Sequence, residues 1–243
     1  MQLGTQLLQF TISGITIGSI YALVAIGFNI IYNSTGIINF AQGEFVMLGG
    51  MTAAYFHNSL HFPIILSGVL AVVLVCCLGI LFERAAIQPL KNPSIITLII
   101  ITIAASIIFK GGAMFIWGKD VHILPPFSGD QPIHLFGATI LPQSLWVLGF
   151  LALIMAFLVI FFQFTMTGKA MKACSYNRTA ASIMGINVNR MVLLSFALSA
   201  GIGALAGVVV TPIILVEYSR GALLGLKGFG AAIFGGLGNM AGA

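Results

Sequence analysis

The run Leu7–Ile31, LLQFTISGITIGSIYALVAIGFNII, carries no charged residue over 25 positions. As a helix rising about 1.5 Å per residue it is long enough to cross roughly 30 Å of hydrocarbon. It has neither a basic leader nor a small-residue cleavage site, so it reads as a retained first span and not a signal peptide.

Further apolar stretches follow at about Ile37–Phe56, Ile64–Phe82, Ser94–Trp117, Gln143–Phe164 and Met191–Ile214, with a Gly-rich seventh at Leu223–Ala243. Composition agrees: 59% of the 243 residues are hydrophobic and 6% are charged. A soluble domain carries about 25% charged residues, so most of this surface must face lipid. Barrel strands would alternate over about ten residues, whereas these runs are unbroken. The expected fold is all-α: a polytopic bundle of about seven membrane segments, some short or broken, forming one transmembrane domain over 1–243. The last segment ends without a polar tail: either the sequence is cut there or the protein lacks a final helix that would complete the bundle.

Ten Lys/Arg stand against five Asp/Glu, but the basic residues lie in short loops, where they set orientation and do not bind nucleic acid. Segment 165–190 holds Lys169, Lys172, Arg178 and Arg190 with no acid, which places it in the cytoplasm. The loop with Arg84 and Lys91 falls on the same side. The Pro-rich loop 118–142 falls outside, and so does the N-terminus if Ile37–Phe56 crosses fully; if that stretch only dips in, the N-terminus is inside. Cys76, Cys77 and Cys174 have no ligand spacing, and His57, His61, His122 and His134 border hydrophilic loops, so no metal or other cofactor is expected.

Three features carry chemistry. The first is Asn29–Glu44, NIIYNSTGIINFAQGE, a polar set between two apolar runs. A carboxylate in hydrocarbon costs at least about 2.5 kcal/mol, so Glu44 should face protein or water. Asn39, Gln42 and Glu44 are the candidates for a substrate pathway; the alternative is an interfacial turn with Glu44 reaching the headgroups. Second, GxxxG spacing at Gly14/Gly18, Gly203/Gly207 and Gly238/Gly242 suits close helix crossings, and Gly225–Gly242 could break to line a pathway. Third, in Gly168–Arg190, GKAMKACSYNRTAASIMGINVNR, residues Ala170, Ala173, Asn177, Ala181 and Met184 predict the small-residue face of one short helix, docked on a partner; the alternative is a basic helix lying on anionic headgroups. Among other charges, Glu83–Arg84 reads as an interfacial pair, Lys110 as snorkelling, and Glu217 and Arg220 as a possible gate. Gly118-Lys119 and Gly168-Lys169 lack the spacing and the Ser/Thr of a P-loop, so ATP hydrolysis would need another subunit.

Three segments resemble the permease subunits of bacterial branched-chain amino acid ABC importers: GITIGSIYALVAIGFNIIYNSTGIINFAQGEFVMLGGM, the basic 168–190 segment, and the final GFGAAIFGGLGNMAGA. Importer permeases share a cytoplasmic Glu-Ala-Ala, three further residues and Gly, whose short helix docks on the ATPase. Ala180, Ala181 and Gly185 keep that spacing, and Thr179 stands where Glu would be. The resemblance implies ATPase coupling through Arg178, Thr179, Ala180, Ala181 and Gly185. It also implies an inner-membrane assembly with a second related permease, two cytoplasmic ATPases and a periplasmic binding protein. Uptake of urea or short amides by a related importer, or autonomous ion-coupled transport, are the alternatives.

Overall fold

The computed structural model describes residues 2–90, 94–129, 131–135 and 137–238. The elements run in order α1 (Gln2–Thr35), α2 (Gln42–Asn58), α3 (Ile64–Phe82), a π turn (Glu83–Ile87), α4 (Ile95–Trp117), strands β1 (Ile133–Leu135) and β2 (Ala138–Ile140), α5 (Pro142–Phe164), α6 (Met166–Tyr176), α7 (Arg178–Ile183), α8 (Val188–Ile214) and α9 (Arg220–Phe234). Among the described residues, α1, α3 with its π turn, α4, α5 and α8 are long and apolar enough to cross a membrane.

Two expected segments are shorter than a full span. The stretch 37–56 is helical only from Gln42, because Gly36 turns the chain at φ 68° and the Asn39 side chain accepts from the Ala41 amide at 3.1 Å. That leaves α2 about 25 Å long. The final segment begins earlier than expected, at Arg220, and its helix ends at Phe234; residues 239–243, with Gly242, lie outside the described residues.

The most apolar windows of α1 and α8 are 67% and 61% buried, against 17–22% for α3, α4 and α5. So α1 and α8, with the buried α2 between them, form the centre, and α3, α4 and α5 turn side chains such as Val73, Ile107, Phe115 and Ile160 outward. Gly203 and Gly207 sit at the crossing of α8 on α2, where a Cβ at Gly207 would meet the Val46 carbonyl and the Gly50 amide. Gly14 and Gly18, by contrast, face open space. The same spacing therefore seats a neighbour in one helix and none in the other.

The Pro-rich segment covers one end of the bundle. Its β1–β2 hairpin is held by Gln9 of α1, which donates to the Thr139 carbonyl at 3.1 Å and accepts from its amide at 2.7 Å. Asn58 donates to the Ile123 carbonyl at 2.7 Å, and His122 pairs with Val216 just beyond α8. The opposite, basic end carries α6 and α7. Asn177, at φ −158° and ψ 104°, separates them and caps α7 by accepting from the Ala180 amide at 3.0 Å.

That break overturns the single helix expected over 168–190. Ala170, Ala173, Asn177, Ala181 and Met184 share no face; Gly168, Met171 and Cys174 are buried on α6, and Met184 is exposed. Glu83 departs from expectation too. It is 1% exposed, Oε2 has no partner, and it makes no ion pair with Arg84. Its place in the π turn, within the helical wall, directs it inward.

Candidate functional site at the broken start of α2

After Thr35 the chain leaves α1 and doubles back, so that Gln42 lies level with Gly27, about two turns above the end of α1. Asn39, Gln42 and Glu44 are all fully buried. Asn39 fixes the turn through Oδ1, while its Nδ2 has no partner.

Gln42 and Ser199 tie three helices together. The Ser199 hydroxyl lies 2.6 Å from Gln42 Oε1 and 2.8 Å from the Gly27 carbonyl, either of which can accept its proton. In return Gln42 Nε2 donates to the Ser199 carbonyl at 3.3 Å. A side chain at Gly27 would collide with Gln42, so the absence of one makes room for the link.

Glu44 stands in the first turn of α2, where the positive end of the helix favours an anion. Ser106 of α4 donates to Oε1 at 2.9 Å. Oε2 has no partner and faces the first turn of α9, where a Cβ at Gly221 would strike it. The starts of two short helices therefore meet at this carboxylate: Gly43 packs on the main chain of Gly221 and Gly225. One turn beyond Ser106, Lys110 holds its ammonium 5.7 Å from the Tyr218 ring, in the connection that precedes α9. Glu217 of that connection pairs with Arg220 at 3.5 Å.

Of the three expected pathway residues, Gln42 faces α1 and α8, Glu44 faces α4 and α9, and Asn39 is engaged in the turn before them. Ser199, which meets Gln42, and Ser106 and Gly221, which meet Glu44, were missed in the sequence. The spacing of Ser106 and Lys110, four apart in an apolar run, was the available signal.

At the basic end, Arg178, Thr179 and Ala180 are exposed, Ala181 is buried, and Gly185 ends the segment at φ 85°. Arg178 does not simply face outward. Its Nη2 donates to the Thr35 carbonyl, the last residue of α1, at 2.6 Å. Partial burial of its guanidinium against the end of α1 lowers its pKa from the usual value, with Cys174 acting the other way. Beside it Tyr176, Ile183 and Met184 are 90%, 81% and 82% exposed, an apolar edge outside the lipid-facing spans.

The family model for branched-chain amino acid transport system permease components matches residues 10–243. The high-affinity branched-chain amino acid transport system permease protein LivH of Escherichia coli K12 is 33% identical over 97% of this chain and 81% of its own length. The corresponding BraD permease of Pseudomonas aeruginosa is 28% identical with the same coverage. A xylose/arabinose import permease, XylH of Sulfolobus acidocaldarius, is 29% identical over 81% of this chain and 53% of its own length. No solved structure matches the chain.

Proposed function

The chain belongs to the branched-chain amino acid transport permease family, and from that premise we propose that it passes branched-chain amino acids along the polar start of α2, past Asn39, Gln42 and Glu44. It is a permease subunit of an ABC importer and a multi-pass protein of the inner membrane. Importers of this kind work with an ATPase and a substrate-binding protein.

The observation that carries the pathway reading is Glu44: a fully buried carboxylate with one oxygen unpartnered, between two short helices that begin inside the bundle. An unpaired buried carboxylate is costly, and membrane transporters place interrupted helix ends where polar cargo crosses. A zwitterion supplies the missing partner through its ammonium group, while the apolar walls accept its side chain.

The basic end faces the cytoplasm in this reading. Two ATPases grip this chain and a second related permease, with α7 and the Tyr176, Ile183 and Met184 edge as the docking surface. A periplasmic binding protein delivers substrate at the Pro-rich end. ATP binding favours one arrangement of the bundle over the other, and cargo moves because its affinity differs between them.

The test is leucine uptake into proteoliposomes holding the assembled importer. Glu44→Ala is expected to abolish uptake while the complex still forms and hydrolyses ATP. Unchanged leucine uptake removes Glu44 from the pathway. Absence of leucine uptake by the unsubstituted importer, with uptake of another cargo, removes the substrate instead.

A further inference from the structure

Arg84 and Gln88, at the end of α3, meet Asn187, Asn189, Arg190 and Leu193, at the start of α8, around an open cleft of about 460 Å³. None of Asn39, Gln42 and Glu44 lines it, and neither does any part of α7.

Its chemistry is one-sided. Two arginines from positions 106 residues apart in the chain line it together with three amide-bearing residues, and no acid is among the lining residues. Among the described residues neither Arg84 nor Arg190 makes an ion pair. The neighbouring acid, Glu83, is 1% exposed and turned into the bundle. Asn187 accepts from the Arg190 amide at 3.1 Å and caps α8, so the positive end of a 27-residue helix opens beside the cleft. Planar guanidiniums beside helix amides suit the tetrahedral oxygens of a phosphate.

The surroundings say what kind of phosphate. Leu81, 61% exposed, lies one turn before Arg84, and Leu194, 39% exposed, lies one turn after Arg190. Leu193 lines the cleft itself. The site straddles the boundary at which lipid-facing apolar surface gives way to basic loop, so an occupant with a phosphate and an acyl chain matches both halves. Anionic lipids are attracted to such basic sites on the cytoplasmic leaflet.

We propose that the Arg84–Arg190 cleft binds the phosphate headgroup of an anionic phospholipid of the inner leaflet, and so pins the α3–α8 pair at the membrane surface. This does not depend on which cargo the importer carries.

The experiment uses the assembled importer in nanodiscs of phosphatidylcholine with and without phosphatidylglycerol, with retained lipid counted by native mass spectrometry after extraction. The unsubstituted complex should retain phosphatidylglycerol over phosphatidylcholine by on the order of tenfold. That preference should be lost in Arg84→Gln/Arg190→Gln and kept in Arg84→Lys/Arg190→Lys. Should the Gln pair fail to assemble, the single variants Arg84→Gln and Arg190→Gln, each expected to lower the phosphatidylglycerol preference, supply the same decision. Equal retention in the Gln variant overturns the proposal. So does displacement of the lipid by millimolar inorganic phosphate, which would assign the cleft to the free ion. Crosslinks from Arg190 to the ATPase with no retained lipid would also overturn it, by assigning the cleft to a protein partner.

Discussion

The Arg178 guanidinium, at the first residue of α7, donates to the main-chain carbonyl of Thr35, the last residue of α1, at 2.6 Å. The two lie 143 positions apart in the chain. Seven residues beyond Thr35 the chain begins α2, with Gln42 and Glu44 in its first turn. The segment proposed to dock on the ATPase is thus bonded to the pivot from which the polar start of α2 hangs. A cation at a helix C-terminus also complements the helix dipole.

Replacing Arg178 should therefore weaken coupling more than assembly. A hydrogen bond from a charged group contributes about 1.5–3 kcal/mol, so Arg178→Ala should lower transport per ATP hydrolysed by about tenfold. Arg178→Lys, which keeps the charge and can still donate, should recover part of the loss. Parallel assays of uptake and ATPase rate in proteoliposomes read the ratio. An unchanged ratio would mean that the contact only holds the fold.

Ser199→Ala removes the hydroxyl that joins Gln42 to Gly27 and leaves Gln42 Oε1 buried without its donor. The expected cost is about 1–3 kcal/mol, read as a lower unfolding temperature in detergent. Adding Gln42→Leu to Ser199→Ala should cost less than the sum of the two separate changes, because neither leaves the other's partner stranded.

The two GxxxG patterns should respond oppositely to alanine. At Gly207 a methyl group meets the main chain of α2, and Gly207→Ala should destabilise by about 1–3 kcal/mol, or more if α2 cannot shift. At Gly14 nothing lies within 4 Å, and Gly14→Ala should leave the unfolding temperature unchanged or slightly raised. Thermal melts of the two variants side by side decide it.

Cys174, 1% exposed on α6, has its thiol pushed up by burial, and the Arg178 charge draws it partly back. A raised pKa leaves less thiolate at neutral pH, and thiolate is the reacting form. Maleimide should modify Cys174 slowly in the folded protein, faster as pH rises through the elevated pKa, and fastest after denaturation. Rapid labelling at neutral pH in the native state would place the thiol outside the α5–α6 packing.

Much of this architecture was legible from residue types alone. The lipid-facing runs declare themselves because a bilayer core tolerates almost no charge, and each long helix was located within a few residues of its ends. The β1–β2 hairpin was not, since three-residue strands in a Pro-rich segment have no pattern to distinguish them from irregular loop. The break at Asn177 escaped because helical spacing continues across it in the sequence, while the side chain of Asn177 competes for the Ala180 amide and stops the first helix.

The chain's own chemistry set the membrane class, the central polar stretch and the basic segment, because hydropathy and charge act locally and can be read one residue at a time. Tertiary structure alone decided which polar groups meet, Glu44 with Ser106, Gln42 with Ser199 and Arg178 with Thr35, and that Arg84 and Arg190 line one cleft. Hydrogen bonds and shared clefts depend on separations of a few ångströms between residues that can be a hundred or more positions apart, and those separations follow from how the helices cross.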